Sequence, residues 1–196
     1  MKSLLFTIFS IFAFSTLQAQ EFNKQLASAR TAYSAKKLDE ARFAMQQMLQ
    51  ELDIMAGKDI LKMLPAKLDA LNANPSNDNV SGASGFAGII IHRDYGSGEK
   101  KAEVDIIGNS PMLTSINALL ALPMVANNGN QKVIKLEGYK ALLQKNVDSE
   151  TNKTSYEIQL PLSSSLLTLK VPNSSEEEIK KFVSLIPVSQ LVKTLQ

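Results

Sequence analysis

Residues 86–109 read FAGIIIHRDYGSGEKKAEVDIIGN. Two runs rich in Ile and Val flank Gly96, Ser97, Gly98 and Glu99. β-Branched residues alternating with polar ones on either side of a glycine-bearing turn predict a β-hairpin. Its strands are expected from Phe86 to Tyr95 and from Lys101 to Asn109. If Tyr95 opposes Lys100, then Asp94 faces Lys101 and His92 faces Glu103. Those four side chains share one face with Asp105, and Ile89, Ile91, Val104 and Ile106 point to the other, because side chains alternate along a strand.

C-terminal to the hairpin the pattern changes period. Ser110-Pro111 reads as an N-cap with proline at the first helical position. Leu113, Ile116, Leu119 and Leu120 form the apolar stripe of a helix ending near Pro123. Four strands are expected at 132–136, 139–145, 154–160 and 166–171. Ser174-Ser175 before Glu176, Glu177 and Glu178 is a capping box with acidic first-turn residues. It opens a helix that turns Ile179, Phe182, Val183 and Ile186 inward, and a last short helix covers Ser189 to Leu195. Strand runs interrupted by single helices predict an α+β domain over 86–196, an antiparallel sheet with helices packed on one face. The hairpin ending Arg93-Asp-Tyr95, the Glu137-Gly-Tyr-Lys140 segment and the final helix pair resemble small exported α+β domains of the PsbP/Mog1 kind, found also in uncharacterised exported bacterial proteins. That resemblance implies the fold and transfers no site residues.

N-terminal to the hairpin, residues 72–85 collect Asn, Ser, Gly and Pro. Such residues favour turns and bury little apolar surface, so this run is expected to be a linker. Residues 20–71 are helical in pattern, a hairpin or three-helix segment. Phe22, Leu26, Ala29 and Tyr33 recur at helical spacing, as do Ala41, Met45, Met48, Leu49 and Leu52. A third helix is expected from Ile54 to Leu64, stopped by Pro65. Ala29-x-x-Ala32-Tyr33 followed by Leu38-Asp39-Glu40-Ala41 and Met45 resembles one tetratricopeptide-type hairpin over residues 22–55. A solenoid needs about three repeats, and no second copy follows. The expectation is therefore an ordinary helical hairpin.

Residues 1–19 read as a cleavable secretory signal peptide. Lys2 supplies a positive charge, Leu4 to Phe14 an apolar core, and Ala19 a small residue before the cut. The style is that of Gram-negative export, so the expected location is the periplasm or the extracellular medium. Loss of Lys2 with the leader takes 21 basic residues to 20, against 19 acidic. A near-neutral chain with dispersed charge carries no electrostatic footprint for nucleic acid. After the leader no stretch is apolar enough to cross a bilayer. The chain has no cysteine, and a mature length well above the disulfide-dependent size range can build a core without one.

Candidate chemistry is sparse. His92 is the single histidine, and with Asp94 and Glu103 it forms a weak acid–base candidate. One histidine and no cysteine supply poor ligands for zinc. Ser163, Ser164 and Ser165 lack the Gly-x-Ser-x-Gly setting of a hydrolase elbow. Asp148-x-Glu150-x-Asn152 lacks the central glycine and distant Glu of a calcium loop. No cofactor motif is present. Met112, Ile116, Leu119 and Met124 mark the other candidate, an apolar stretch able to take a partner helix or a hydrophobic ligand. The sequence-based expectation is a non-enzymatic exported interaction or ligand-binding module. The alternatives are a small hydrolase or metal enzyme centred on His92, and a carrier of a lipid or other hydrophobic ligand.

Overall fold

In the computed structural model, which describes residues 21–82, 89–108, 110, 112–121 and 129–195, the hairpin forms with its tip one residue later than expected. Strands Ile89–Ser97 and Lys100–Gly108 pair, leaving Gly98 and Glu99 as the loop. Gly98 takes φ +61°, as the first position of a type II′ turn requires. The register therefore moves by two residues: Asp94 opposes Glu103, and His92 opposes Asp105. An even shift keeps every side chain on its expected face.

The described elements, numbered in order, are α1 (21–34), α2 (Leu38–Met63), β1 (Lys67–Leu68), β2 (Leu71–Asn72), a 3₁₀ turn (Pro75–Asn77), β3 (Asn79–Gly82), β4 (Ile89–Ser97), β5 (Lys100–Gly108), α3 (Met112–Ala121), β6 (Gln131–Leu136), β7 (Tyr139–Val147), β8 (Thr154–Leu162), β9 (Ser165–Val171), α4 (Glu176–Val183) and α5 (Val188–Thr194). Seven strands form one antiparallel sheet in the order β3-β4-β5-β9-β8-β7-β6. The α+β architecture read from the sequence is the one observed. The connection through α3 carries the chain from β5 to the far edge at β6. The β6–β9 meander then returns to pair with β5.

Helices lie against both faces of the sheet, which widens the single-face arrangement read from the sequence. One face carries Ile91, Val104, Ile106, Leu143, Ile158, Leu160, Leu167 and Leu169 under the end of α2 and under α4 and α5. The opposite face presents Leu142 and Leu166 to Ile116 of α3, with Leu113, Leu119 and Leu120 around them. Strand β9 is thus buried at six of its seven positions. Serine 175 caps α4 as its sequence predicts, its hydroxyl accepting from the Glu178 N–H.

The run expected as a linker is ordered over its described part, 72–82; residues 83–85 lie outside the described residues. Leu71–Asn72 pairs with Lys67–Leu68, and Asn79–Gly82 joins the sheet as its edge strand. Side chains outside the run hold it there. Arg93 Nε and Nη2 donate to Asp78 Oδ1 and Oδ2 at 2.9 and 2.6 Å, while Nη1 donates to the Leu64 carbonyl at 3.1 Å. The Tyr95 hydroxyl donates to the Pro65 carbonyl at 3.0 Å. Turn-forming composition reports local propensity, and these long-range bonds override it.

The chain divides into two compact units between Met55 and Ala56, inside α2. In the first unit α1 ends in a Schellman turn. Lys36 takes φ +58°, Lys37 N–H donates to the Ala32 carbonyl and Lys36 N–H to that of Tyr33. A lysine thus holds the left-handed position that glycine usually fills. Ala29, Ala32, Ala41 and Ala44 are buried, and small side chains let two antiparallel helices approach closely. The separate helix expected over Ile54–Leu64 is instead the continuation of α2, because nothing between Leu52 and Pro65 breaks it except Gly57.

Gly57 belongs to the second unit and is there for space. A Cβ would stand 2.0 Å from Ile89 Cδ1 and 2.7 Å from Val80 Cγ1. Alanine gains about 1 kcal/mol of helix propensity, whereas overpacking typically costs about 1–3 kcal/mol. Gly57→Ala is therefore expected to lower the urea midpoint rather than raise it. The Arg93 and Asp78 side chains are only 11% and 13% exposed, and removing one partner of such a pair costs about 3 kcal/mol or more. Arg93→Ala should lower unfolding free energy by that amount in urea titrations. Arg93→Lys should recover only part of it, since an ammonium cannot reproduce the two-pronged geometry.

Candidate functional site

Strands β4 and β5 bring the sequence candidates together on the sheet face that α3 shares. Histidine 92 stands between two aspartates. Its Nδ1 lies 2.7 Å from Asp105 Oδ1 and its Nε2 3.1 Å from Asp94 Oδ1. The three side chains are 30%, 25% and 27% exposed in that order. Asp94 is further engaged by Asn77, whose Nδ2 donates to Oδ2 at 2.9 Å. Glu103 lies opposite Asp94 but pairs with Lys101 at 2.9 Å. The two-residue register change thus gives His92 the partner Asp105 in place of Glu103.

The electrostatics follow from that sandwich. Burial opposes protonation of His92. The hydrogen bond and charge of Asp105, and then those of Asp94, outweigh it, and the pKa is raised above 6.5. Both ring nitrogens lie within hydrogen-bond distance of carboxylates. The arrangement suits a doubly donating imidazolium that ties β4 to β5 and to its own strand. Across the sheet from Asp105 come Thr168 on β9 and Gln159 on β8. Gln159 is 4% exposed; its Nε2 donates to Glu157 at 2.6 Å, and its Oε1 has no hydrogen-bond partner. Sequence reading missed both residues, because alternation assigns a face and not its depth. Among the described residues, no group of three His, Cys, Asp or Glu side chains is arranged to hold a metal ion.

The remaining candidates separate in space. Ser163, at φ +49°, and Ser164 form the turn between β8 and β9, whereas Ser165 is a buried strand residue. Asp148 Oδ1 accepts from the Glu150 and Thr151 N–H groups and from the Thr151 hydroxyl. The Thr151 and Glu150 bonds lower the Asp148 pKa. That carboxylate closes its own loop. On α3, Met112 is 49% exposed, Ile116 is buried against Leu142 and Leu166, and Leu119 is half-buried beside it; Met124 lies outside the described residues. A cavity of about 300 Å³ opens where β6–β8 meet the start of α4, lined among others by Lys132, Lys145, Tyr156 and Glu176. There hydrogen bonds from Lys132 and Lys180 hold the Glu176 carboxyl below its usual range.

The first unit supplies the feature that periodicity did not reveal. Tyr33, Leu38, Phe43, Met45, Leu49, Leu52 and Met55 are between 43% and 65% exposed. The sequence reading placed Met45, Leu49 and Leu52 on a helix's apolar stripe; the structure leaves them on the surface. No described helix is long and apolar enough to cross a membrane. Compared with known proteins, the chain matches no protein-family profile and no curated protein.

The chain's one histidine makes its titration simple to follow by NMR. His92 is expected to titrate above 6.5, and Asp105→Asn should bring it down. A pKa raised on folding adds stability that is fully present below the unfolded value near 6.5 and is lost as pH rises through the folded one. Denaturant titrations from mildly acidic to mildly alkaline pH should show that loss in the parent protein and not in His92→Gln.

Proposed function

We propose that the chain is an exported, non-enzymatic interaction module of the bacterial envelope, periplasmic or secreted, whose N-terminal helical hairpin is the docking element. The observation that carries this reading is the exposed apolar row on α2. Scattered exposed hydrophobics are ordinary on protein surfaces, but a contiguous row marks a contact site. Leu38, Met45, Leu49 and Leu52 follow one another at seven-, four- and three-residue steps, the spacing of a seam between helices. The leader-like residues 1–19 support export. The engaged ring nitrogens of His92 speak for a structural bridge rather than a general base. The seating of Ile116 and Leu119 on the sheet leaves α3 with less apolar surface for a lipid chain.

In-cell photocrosslinking tests the reading. A crosslinking residue at position 49 should give a discrete adduct, and one at position 43, exposed on the other side of α2, should not. The adduct at 49 should disappear with Met45→Glu. Equal adducts at 49 and 43, or none at 49, would count against the hairpin as a docking element.

A further inference from the structure

Two facts about the hairpin name what covers its apolar face. The first is where that face lies. A helix advances about 100° per residue. The α2 row of Leu38, Met45, Leu49 and Leu52 is therefore centred about 80° from the buried Ala41 and Ala44. On α1, the half-buried Phe22 and Leu26 and the exposed Tyr33 are centred about 70° from the buried Ala29 and Ala32. Both offsets run in the same rotational sense. Because α1 and α2 are antiparallel, the two rows fall on the same side of the hairpin and make one two-helix apolar face. A right angle between a helix's two neighbours is the arrangement of a four-helix bundle, and two hairpins laid face to face complete one.

The second fact is the charge along the outer rim. Arg42 and Asp53 flank the α2 row on the side away from α1, about three turns apart. Both are exposed. Among the described residues neither has an ion-pair partner in its own chain. In a twofold pairing with α2 antiparallel to its copy, centred between residues 47 and 48, position 42 comes opposite position 53. That centre lies inside the apolar row, between Met45 and Leu49. Arg42 of each copy then meets Asp53 of the other, twice over by symmetry.

We propose that the occupant of this face is a second copy of the same chain, so that two N-terminal hairpins form an antiparallel four-helix bundle rimmed by reciprocal Arg42–Asp53 pairs. The inference rests on the hairpin being a docking element and names its partner. Between the two reciprocal pairs the contact spans about 17 Å of α2, at the small end of specific interfaces, and the association is reversible and concentration-dependent.

Sedimentation equilibrium of the protein purified after export tests it, with circular dichroism confirming that each variant is folded. The parent should approach twice the mass of one chain at high concentration and dissociate on dilution. Leu49→Glu, which places a charge at the seam twice, should weaken the dimer by about a hundredfold. Arg42→Asp and Asp53→Arg should each weaken it by about tenfold, and the double swap R42D/D53R should restore it. A monomer at every concentration overturns the proposal, as does a dimer indifferent to these substitutions or one the double swap does not restore. A monomer that still crosslinks to another protein through position 49 removes the second copy and leaves the docking role standing. Loss of both removes the two readings together.

Discussion

The three-way grip of Arg93 is the interaction on which the second unit depends. One guanidinium closes the end of α2 through the Leu64 carbonyl and fixes the 3₁₀ turn through both oxygens of Asp78, from a position in the middle of β4. Its planar fork offers five donors at fixed angles, so a single side chain sets the relative position of three segments far apart in sequence. The Tyr95 hydroxyl adds a bond one residue further on, at the Pro65 carbonyl. Between these two contacts Leu64 and Leu68 are pressed into the core beside Ile60. The excursion 64–82, poor in apolar residues, is therefore held by polar bonds at its ends and by a few buried leucines.

A second constraint is topological. The pairing of β5 with β9 joins the early hairpin to the late meander, and α3 must travel across the sheet to allow it. That path puts α3 on the face opposite α4 and α5 and leaves β9 covered on both sides. The composition of β9 reflects this: Leu166, Leu167 and Leu169 follow one another with little polar interruption. Such a run is what a strand buried on both faces requires. Strands β4 and β5, with a polar face under solvent, keep the two-residue alternation.

How much of this was legible follows the range of the forces involved. The hairpin, the capped helix α4, the four late strands and the α+β class were readable because local spacing encodes them. The register was readable only modulo two: alternation fixes a residue's face, while the turn chosen at Gly98 fixes its partner. Hence the sequence brought His92, Asp94 and Asp105 to one surface yet named Glu103 as the cross-strand neighbour. Strand β3 was illegible, since Asn79 to Gly82 has no strand-like composition and is recruited by the edge of β4 and by Asp78. The merging of two expected helices into α2 turns on Gly57, where a glycine that reads as a weak point is a fitting allowance for Ile89 and Val80.

The methionine- and leucine-bearing row of α2 exposes the limit of periodicity most clearly. A stripe at helical spacing shows that a helix has an apolar side; it is silent on what covers that side. In α4 the cover is the same chain's sheet, and Ile179, Phe182 and Val183 are buried. In α2 the alanines find cover inside the hairpin, whereas the larger Leu38, Met45 and Leu49 remain on the surface. Size sorts the two faces. Alanine belongs where backbones approach closely, and Leu and Met where a wider gap has to be filled. Among the described residues Arg42 and Asp53, beside that wider face, have no ion-pair partner and border it with charges of opposite sign. In the pairing proposed above, those charges meet one another across the seam.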